Sequence, residues 1–252
     1  MPNLLIVGAT RGLGAALTSL YASKPSTTVF ATTRSSAPPS SPSAPNIKWL
    51  LKIDISQPDV GQSITSQLNG YINHDAEAAK HEHNKHLALT IIAAGYFATE
   101  SFDSLTSKDW NNQLKMYSTS AIGPVFVVHH LQAAGYFQPE QSKIILITSE
   151  SGSLTLRHES EGGGNYGHHS SKAAENMVGR LLSLDLKEQG VAVGMVHPGF
   201  MRTEMTKSVG FDKYWDEAGG GYTLLWLAHW RNFVCARSEC RVWLSVLTCY
   251  GT

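Results

Sequence analysis

Leu4-Leu5-Ile6-Val7-Gly8-Ala9-Thr10-Arg11-Gly12-Leu13-Gly14 is the stretch whose reading decides the fold. An apolar run breaks into a glycine-rich turn, and the turn opens a helix expected over 15–22. Glycines at these positions let the backbone come close to a ligand. The free N–H groups and the dipole at the helix start favour negative charge, so the turn suits a diphosphate. Glycine spacing alone is a weak signal. It becomes strong at the first strand-to-helix junction of a chain that continues to alternate strand and helix.

Outward from the turn, that alternation is what the sequence predicts. A second strand is expected over 28–33, then the Ser/Pro-rich loop Ser35–Pro45, then a third strand over 48–53. A polar stretch leads to a fourth strand over 87–94, apolar almost throughout as a central parallel strand should be. A long helix is expected over 108–134, a fifth strand over 143–148, a helix over 167–189 and a sixth strand over 191–196. Six apolar strands joined by helices predict an α/β fold. Parallel neighbours need crossover connections, so the strands form a doubly wound parallel sheet in three α-β-α layers. The Ser/Pro loop reads as a surface excursion within a single domain over 1–218, because the βαβ pattern resumes at once.

Composition bounds the function. The 252 residues are 42% hydrophobic and 16% charged, with 20 basic and 20 acidic side chains. No net field points to nucleic acid or to an anionic membrane surface. The first strand begins too early for a signal peptide, and no apolar run approaches membrane-spanning length, so a soluble cytoplasmic protein is expected. Cys235, Cys240 and Cys249 are odd in number and crowd one end, which is no disulfide framework. His74, His81, His83 and His86 are interspersed with acids and lysines, as on a solvated segment, and no metal site is expected there or at His229 with the cysteines.

Charge in the first third narrows the ligand. No Asp or Glu precedes Asp54, whereas Arg11, Lys24, Arg34, Lys48 and Lys52 are basic. Arg34 follows the second strand, where a site for an unphosphorylated ribose would carry an acid, and Arg11 lies inside the glycine turn. Two guanidinium groups there suit a 2′-phosphate, which favours NADP(H) over NAD(H). Asp54 is placed to accept a hydrogen bond from the adenine amino group.

With these pieces in order, the chain resembles the short-chain dehydrogenase/reductase family, with a Rossmann-type sheet. Within the family it is similar to the C-factor or sniffer-like carbonyl reductases, of fungal type. The resemblance rests on the glycine turn, Asp54-Ile55, Ala93-Ala94-Gly95, Ser120-Ala121-Ile122-Gly123-Pro124, Ile147-Thr148-Ser149-Glu150-Ser151-Gly152, Ser170-Ser171-Lys172-Ala173-Ala174, and His197-Pro198-Gly199 with Thr203. It implies that NADP(H) is held by Gly8, Thr10, Arg11, Gly12, Leu13, Gly14, Arg34, Asp54, Ile55, Ala93, Ala94, Gly95, Lys172, Pro198, Gly199 and Thr203. It also implies that Ser149 polarises the substrate carbonyl. Lys172 would bind the nicotinamide ribose and lower the pKa of a tyrosine four residues earlier.

That position is His168. Tyr166 is six residues from Lys172 and, at about 100° per residue, turns to another face of the helix unless the helix begins only after it. The family asparagine that holds a relay water corresponds to Ser120, which can still hold a water. A further asparagine corresponds to Ala93. His168 can act as an acid because imidazole titrates near neutrality, but Lys172 one turn away disfavours imidazolium, and imidazole reaches less far than a phenol. The catalytic set is therefore Ser149, His168, Lys172 and Ser120.

Three readings follow. The first is an NADPH-dependent carbonyl reductase acting on a hydrophobic small molecule, of the kind made in secondary metabolism, with His168 or a water as proton donor. The second is a redox-neutral isomerase, dehydratase or cyclase in which His168 shuttles a proton. The third is an inactive NADP-binding protein. The expected pocket walls are Gly95-Tyr96-Phe97, the 150–165 loop, and Phe200, Met201, Met205, Phe211, Tyr214 and Trp215. Val178, Leu181, Leu182 and Leu186 allow a homodimer. From about Gly219 the resemblance stops, and 219–252 reads as a divergent tail with apolar runs at 224–228 and 242–247.

Overall fold

The computed structural model describes residues 2–74, 85–157, 159–199 and 201–214. Six strands form one parallel sheet: β1 (Asn3–Val7), β2 (Thr28–Thr32), β3 (Ile47–Leu50), β4 (Leu87–Ile92), β5 (Lys143–Ile147) and β6 (Ala192–Val196). Their order is β3-β2-β1-β4-β5-β6. Leu5 sits beside Phe30 on one side and Thr90 on the other, and Ile145 lies between Ile91 and Gly194. The order reverses between β1 and β4, and that switch point opens the crevice in which ligands of such sheets bind.

Alternation along each strand divides the core in two. Leu5, Val7, Phe30, Ile144 and Leu146 face one layer, where α2 (Val60–His74) contributes Ile64 and Leu68. In the same layer, α4 (Gly123–Ala133) contributes Val127 and Leu131, and α5 (Tyr166–Asp185) contributes Leu182. Ile6, Val29, Ala31, Ile91 and Ile147 face the other layer, against Leu13 and Leu17 of α1 (Gly12–Ala22). A period of two in the strands and of three to four in the helices produces this sorting. The strands are apolar on both faces because both are covered.

Two expectations change in detail. The long helix over 108–134 is α3 (Ser107–Tyr117) and α4 joined by a π turn, Ser118–Ile122. Pro124 has no N–H to continue the α-helical ladder through this point, and a Cβ on Gly123 would lie 2.1 Å from the Ile55 carbonyl oxygen, so the turn is held close against the chain after β3. The second change concerns the surface of α5. Leu182 and Leu186 are buried in the core and Val178 packs against it, so these residues do not form an exposed face. The outward stripe is Met177, Leu181 and Leu184, all about half exposed. The tail 219–252, with its cysteines and His229, lies outside the described residues, as do His81, His83, Phe200 and Trp215.

Candidate active site

The first turn is built by close approach. Gly8 has φ +88°, and a Cβ there would meet the Ala94 backbone at 2.6 Å; a Cβ on Gly14 would lie 2.0 Å from the Gly8 carbonyl oxygen. The Gly8 N–H donates to Thr32 Oγ1 at 2.9 Å, which ties the turn to β2. Arg11 is the N-cap of α1 but makes no capping hydrogen bond, and the first helical turn contains no acid. The helix start thus keeps unpaired donors and uncompensated positive polarity, and these residues fit the diphosphate of a dinucleotide.

The turn forms one part of a cleft of about 420 Å³. Gly8, Thr10, Arg11, Gly12, Leu13, Gly14, Arg34, Asp54, Ile55, Ala93, Ala94, Gly95, Ser149, His168, Lys172, Pro198, Gly199 and Thr203 all line it. Ser120 does not. It sits in the π turn, 1% exposed, behind the lining residue Thr119, and its Oγ has no hydrogen-bond partner.

At the β2–β3 end, Asp54 Oδ1 accepts from the Ser56 N–H at 3.0 Å and from Ser56 Oγ at 2.8 Å. Burial pushes the Asp54 carboxyl up, but the Ser56 bonds and the charges of Arg34 and Lys115 outweigh it and hold the group below its ordinary value. Lys115 also lies over the Tyr96 ring, 4.5 Å from its centre. Arg34 is exposed just after β2, where the strand end carries no acidic residue.

At the β4–β6 end, the side chains come from three elements. Ser149 follows β5, and its Oγ accepts from the Ser151 N–H at 3.2 Å. This turn closes tightly on α5, since a Cβ on Gly152 would lie 2.6 Å from the Lys172 carbonyl carbon. The start of α5 is pinned by Glu100. Its carboxylate accepts from the Gly167 N–H and from Gln113 Nε2 (2.9 Å for the latter), and its carbonyl accepts from the Asn165 N–H at 2.9 Å. With α5 so fixed, His168 and Lys172 point into the cleft one turn apart. Tyr166, at the first helical position, instead packs edge-on to Phe102 and is absent from the lining.

His168 stacks against Phe97 with ring centres 4.2 Å apart, and its Nδ1 is buried with no hydrogen-bond partner. Burial first, then the positive charge of Lys172, then His169, push its pKa down to about 3. At neutral pH it is a neutral imidazole. Lys172 Nζ donates to the Ile147 carbonyl at 3.0 Å and to Glu175 Oε2 at 2.6 Å. Burial raises the Glu175 carboxyl, against the pull of Lys172.

Some residues at this end were not singled out from sequence. His197 lines the cleft, with Nε2 3.6 Å from Glu150 Oε2. Burial lowers the His197 pKa, while Glu150 raises it and Lys172 lowers it. Glu175 falls with Ser171, Lys172, Gly179 and Leu182 on the buried stripe of α5, which the structure shows and the sequence did not. Of the expected walls, Tyr96, Phe97, Met201, Met205 and Phe211 line the cleft. From the 150–165 loop only Glu150 and Ser151 do, and Arg157 ties the rest of that loop to itself through the Gly162 carbonyl. Among the described residues, no group of three or more His, Cys, Asp or Glu comes together to hold a metal ion, and no helix is long and apolar enough to cross a membrane.

The model of the family described as short chain dehydrogenase matches residues 2–213. The chain belongs to that family. A 1-hydroxy-2-glutathionyl-2-methyl-3-butene dehydrogenase of Rhodococcus sp. (strain AD45) is 33% identical over 105 residues, 42% of this chain and 44% of that protein. The C-signal of Myxococcus xanthus is 31% identical over 40% of this chain and 59% of its own, so the match spans about half the length of these two curated relatives. A short chain dehydrogenase of Penicillium aethiopicum is 28% identical over 83% of this chain and 82% of its own. In fold, the NADPH-bound carbonyl reductase from chicken fatty liver superposes with a TM-score of 0.66 at 22% identity, covering 81% of this chain and 78% of that one.

Proposed function

We propose that this short-chain dehydrogenase binds NADP(H) in the cleft and interconverts a carbonyl and an alcohol on a hydrophobic small molecule. The reading is carried by one observation: the glycine turn, Arg11, Arg34, Ser149, His168 and Lys172 all line the same cleft. The start of α1 would hold the diphosphate, and Asp54 and Arg34 the adenosine, which would leave the nicotinamide end for the residues at β4–β6. When bound, NADPH supplies a hydride to the carbonyl carbon.

The chain's own groups do the rest. The Ser149 hydroxyl donates to the carbonyl oxygen and polarises it. Lys172 holds the nicotinamide ribose. His168, neutral at physiological pH, offers an N–H to the same oxygen. It is too weak a base to carry an extra proton, so the proton that completes the alcohol comes from water. The buried, unpartnered Oγ of Ser120 in the π turn supports a water held behind the site. Phe97, Met201, Met205 and Phe211 give the substrate an apolar enclosure.

A redox-neutral reaction through His168 needs an imidazole that takes up a proton, and its lowered pKa weighs against that. Retention of Ser149 and Lys172 weighs against an inactive binding protein. The exposed stripe Met177, Leu181 and Leu184 supports a homodimer through α5. Nicotinamide absorbance, followed with a panel of ketones and aldehydes, tests the reading: oxidation of NADPH dependent on an apolar carbonyl substrate is expected. Tight NADPH binding with no turnover of any carbonyl would overturn it.

A further inference from the structure

Among the described residues, Glu175 is the one buried carboxylate, and the reaction above does not use it. It is 1% exposed, it does not line the cleft, and it meets Lys172 Nζ at 2.6 Å. Lys172 does line the cleft, at its β4–β6 end. A lysine ammonium there faces whatever charge the nicotinamide ring carries. That charge differs between the two forms of the cofactor: the ring of NADP⁺ is a cation and that of NADPH is neutral. An uncompensated ammonium beside it would repel the oxidised form alone.

We infer that Glu175 is a specificity-determining residue for the oxidation state of the cofactor: by cancelling the charge of Lys172, it lets the cleft hold NADP⁺ as well as NADPH. The inference rests on the proposed placement of the nicotinamide end beside Lys172. The geometry favours compensation over simple packing. Lys172 spends one donor on the Ile147 carbonyl and one on Glu175, which leaves its third N–H for the ribose. The other charged or titratable groups that act at this point are His168 and His169 on α5, His197 after β6, and Glu150 after β5. Glu150 is half exposed and is directed at His197, 3.6 Å away, so Glu175 is the carboxylate in contact with the lysine.

The test is the ratio of the dissociation constants of NADP⁺ and NADPH, measured by calorimetry on the intact chain. Glu175→Gln keeps the shape and an acceptor for Nζ but removes the charge. It should weaken NADP⁺ relative to NADPH by at least about tenfold, well within what one charge–charge contact supplies at the effective dielectric of a protein site. A double variant, Lys172→Met with Glu175→Leu, removes both charges and, as an apolar replacement of a whole buried pair, keeps the fold. It loses the ribose contact for both forms equally, so the ratio should stay at the wild-type value.

A purely structural Glu175 would change both affinities together and leave the ratio fixed in Glu175→Gln, which would overturn the inference. A shift of the double variant toward NADP⁺ would overturn it too, because it would mean that the lysine charge is felt in the wild type. Should Glu175→Gln not fold, Glu175→Ser, which leaves room for a water beside Nζ, carries the same expectation and is overturned by the same unchanged ratio. Failure of the proposed function has a different signature: wild-type chain that reduces no carbonyl, whatever these ratios are.

Discussion

The two ends of the cleft are built by different means. The end at β1–β3 is made of backbone: glycines at close approach, a helix start without a cap, and exposed arginines around it. The end at β4–β6 is made of side chains: a stacked neutral imidazole, a buried ammonium with its own carboxylate, and a serine in a short turn. Backbone geometry tolerates no substitution at its few glycines but asks little of its surroundings. The side-chain end can exchange a phenol for an imidazole and keep its shape, because what it needs is a balance of charge. The contrast can be tested from both ends.

The largest effect on cofactor binding is expected at Gly14. A Cβ there would lie 2.0 Å from the Gly8 carbonyl oxygen, a backbone atom with no room to move. Gly14→Ala should weaken cofactor binding at least ~100-fold, or abolish it, and destabilise the fold by about 3 kcal/mol through overpacking. Calorimetry and urea unfolding would measure the two. Binding within a few-fold of wild type would show that the diphosphate does not depend on this approach.

Next is the acid stability that depends on His168. Its pKa falls from 6.5 to about 3 on folding, so the unfolded chain binds more protons between those values. The native state has the full benefit of the neutral ring above pH 6.5 and loses it as pH falls toward 3. The difference amounts to about 5 kcal/mol. His168→Gln should flatten the stability profile over that window in denaturant titrations at several pH values. An unchanged acid slope would show that other groups carry it.

The same position tests the chemistry. His168→Tyr restores the reach of a phenol and the help of Lys172 together, and should raise carbonyl reduction by about tenfold or more. The Phe97 ring, 4.2 Å from the imidazole, must yield to the longer side chain, so Phe97→Ala should add to the gain. If His168→Tyr lowers turnover while NADPH still binds, the imidazole has a role that a phenol cannot fill.

How far the sequence carried this reading follows the same division. The six strands and their parallel pairing were legible because each is a short apolar run followed by turn residues, and the glycine turn declares its purpose by its position after β1. Limits of a few residues moved, and the π turn was not foreseen, although Gly123-Pro124 marks the spot. Ser120 was placed by its correspondence to the family asparagine, and that correspondence did not show that it lies outside the cleft lining. The partner of Lys172 was harder to read. Glu175 looks like an ordinary helical acid until the burial of its neighbours on α5 is known, and only then does its charge require an explanation. Periodicity allowed a homodimer through Val178, Leu181, Leu182 and Leu186, but it cannot tell a core-facing stripe from an outward one, and of the four only Leu181 is exposed.

The smallest expected effect returns to the arginines of the backbone-built end. Arg11 and Arg34 are exposed, so each pays little to be charged and gains little from a low dielectric. Their value lies in geometry: planar guanidinium groups suit a phosphate monoester on the adenosine ribose. NADPH should bind about tenfold tighter than NADH, about 1.4 kcal/mol. Arg34→Asp replaces a group that attracts the 2′-phosphate with one that repels it and can accept a bond from a free 2′-hydroxyl. The preference should narrow or reverse, while the NADP⁺ to NADPH ratio, set at the other end of the cleft, should not move. Calorimetry with all four nucleotides would read both quantities in one series. Equal affinity for NADPH and NADH in the wild type would remove the arginines from the site, and a moving oxidation-state ratio in Arg34→Asp would show that the two ends are coupled after all.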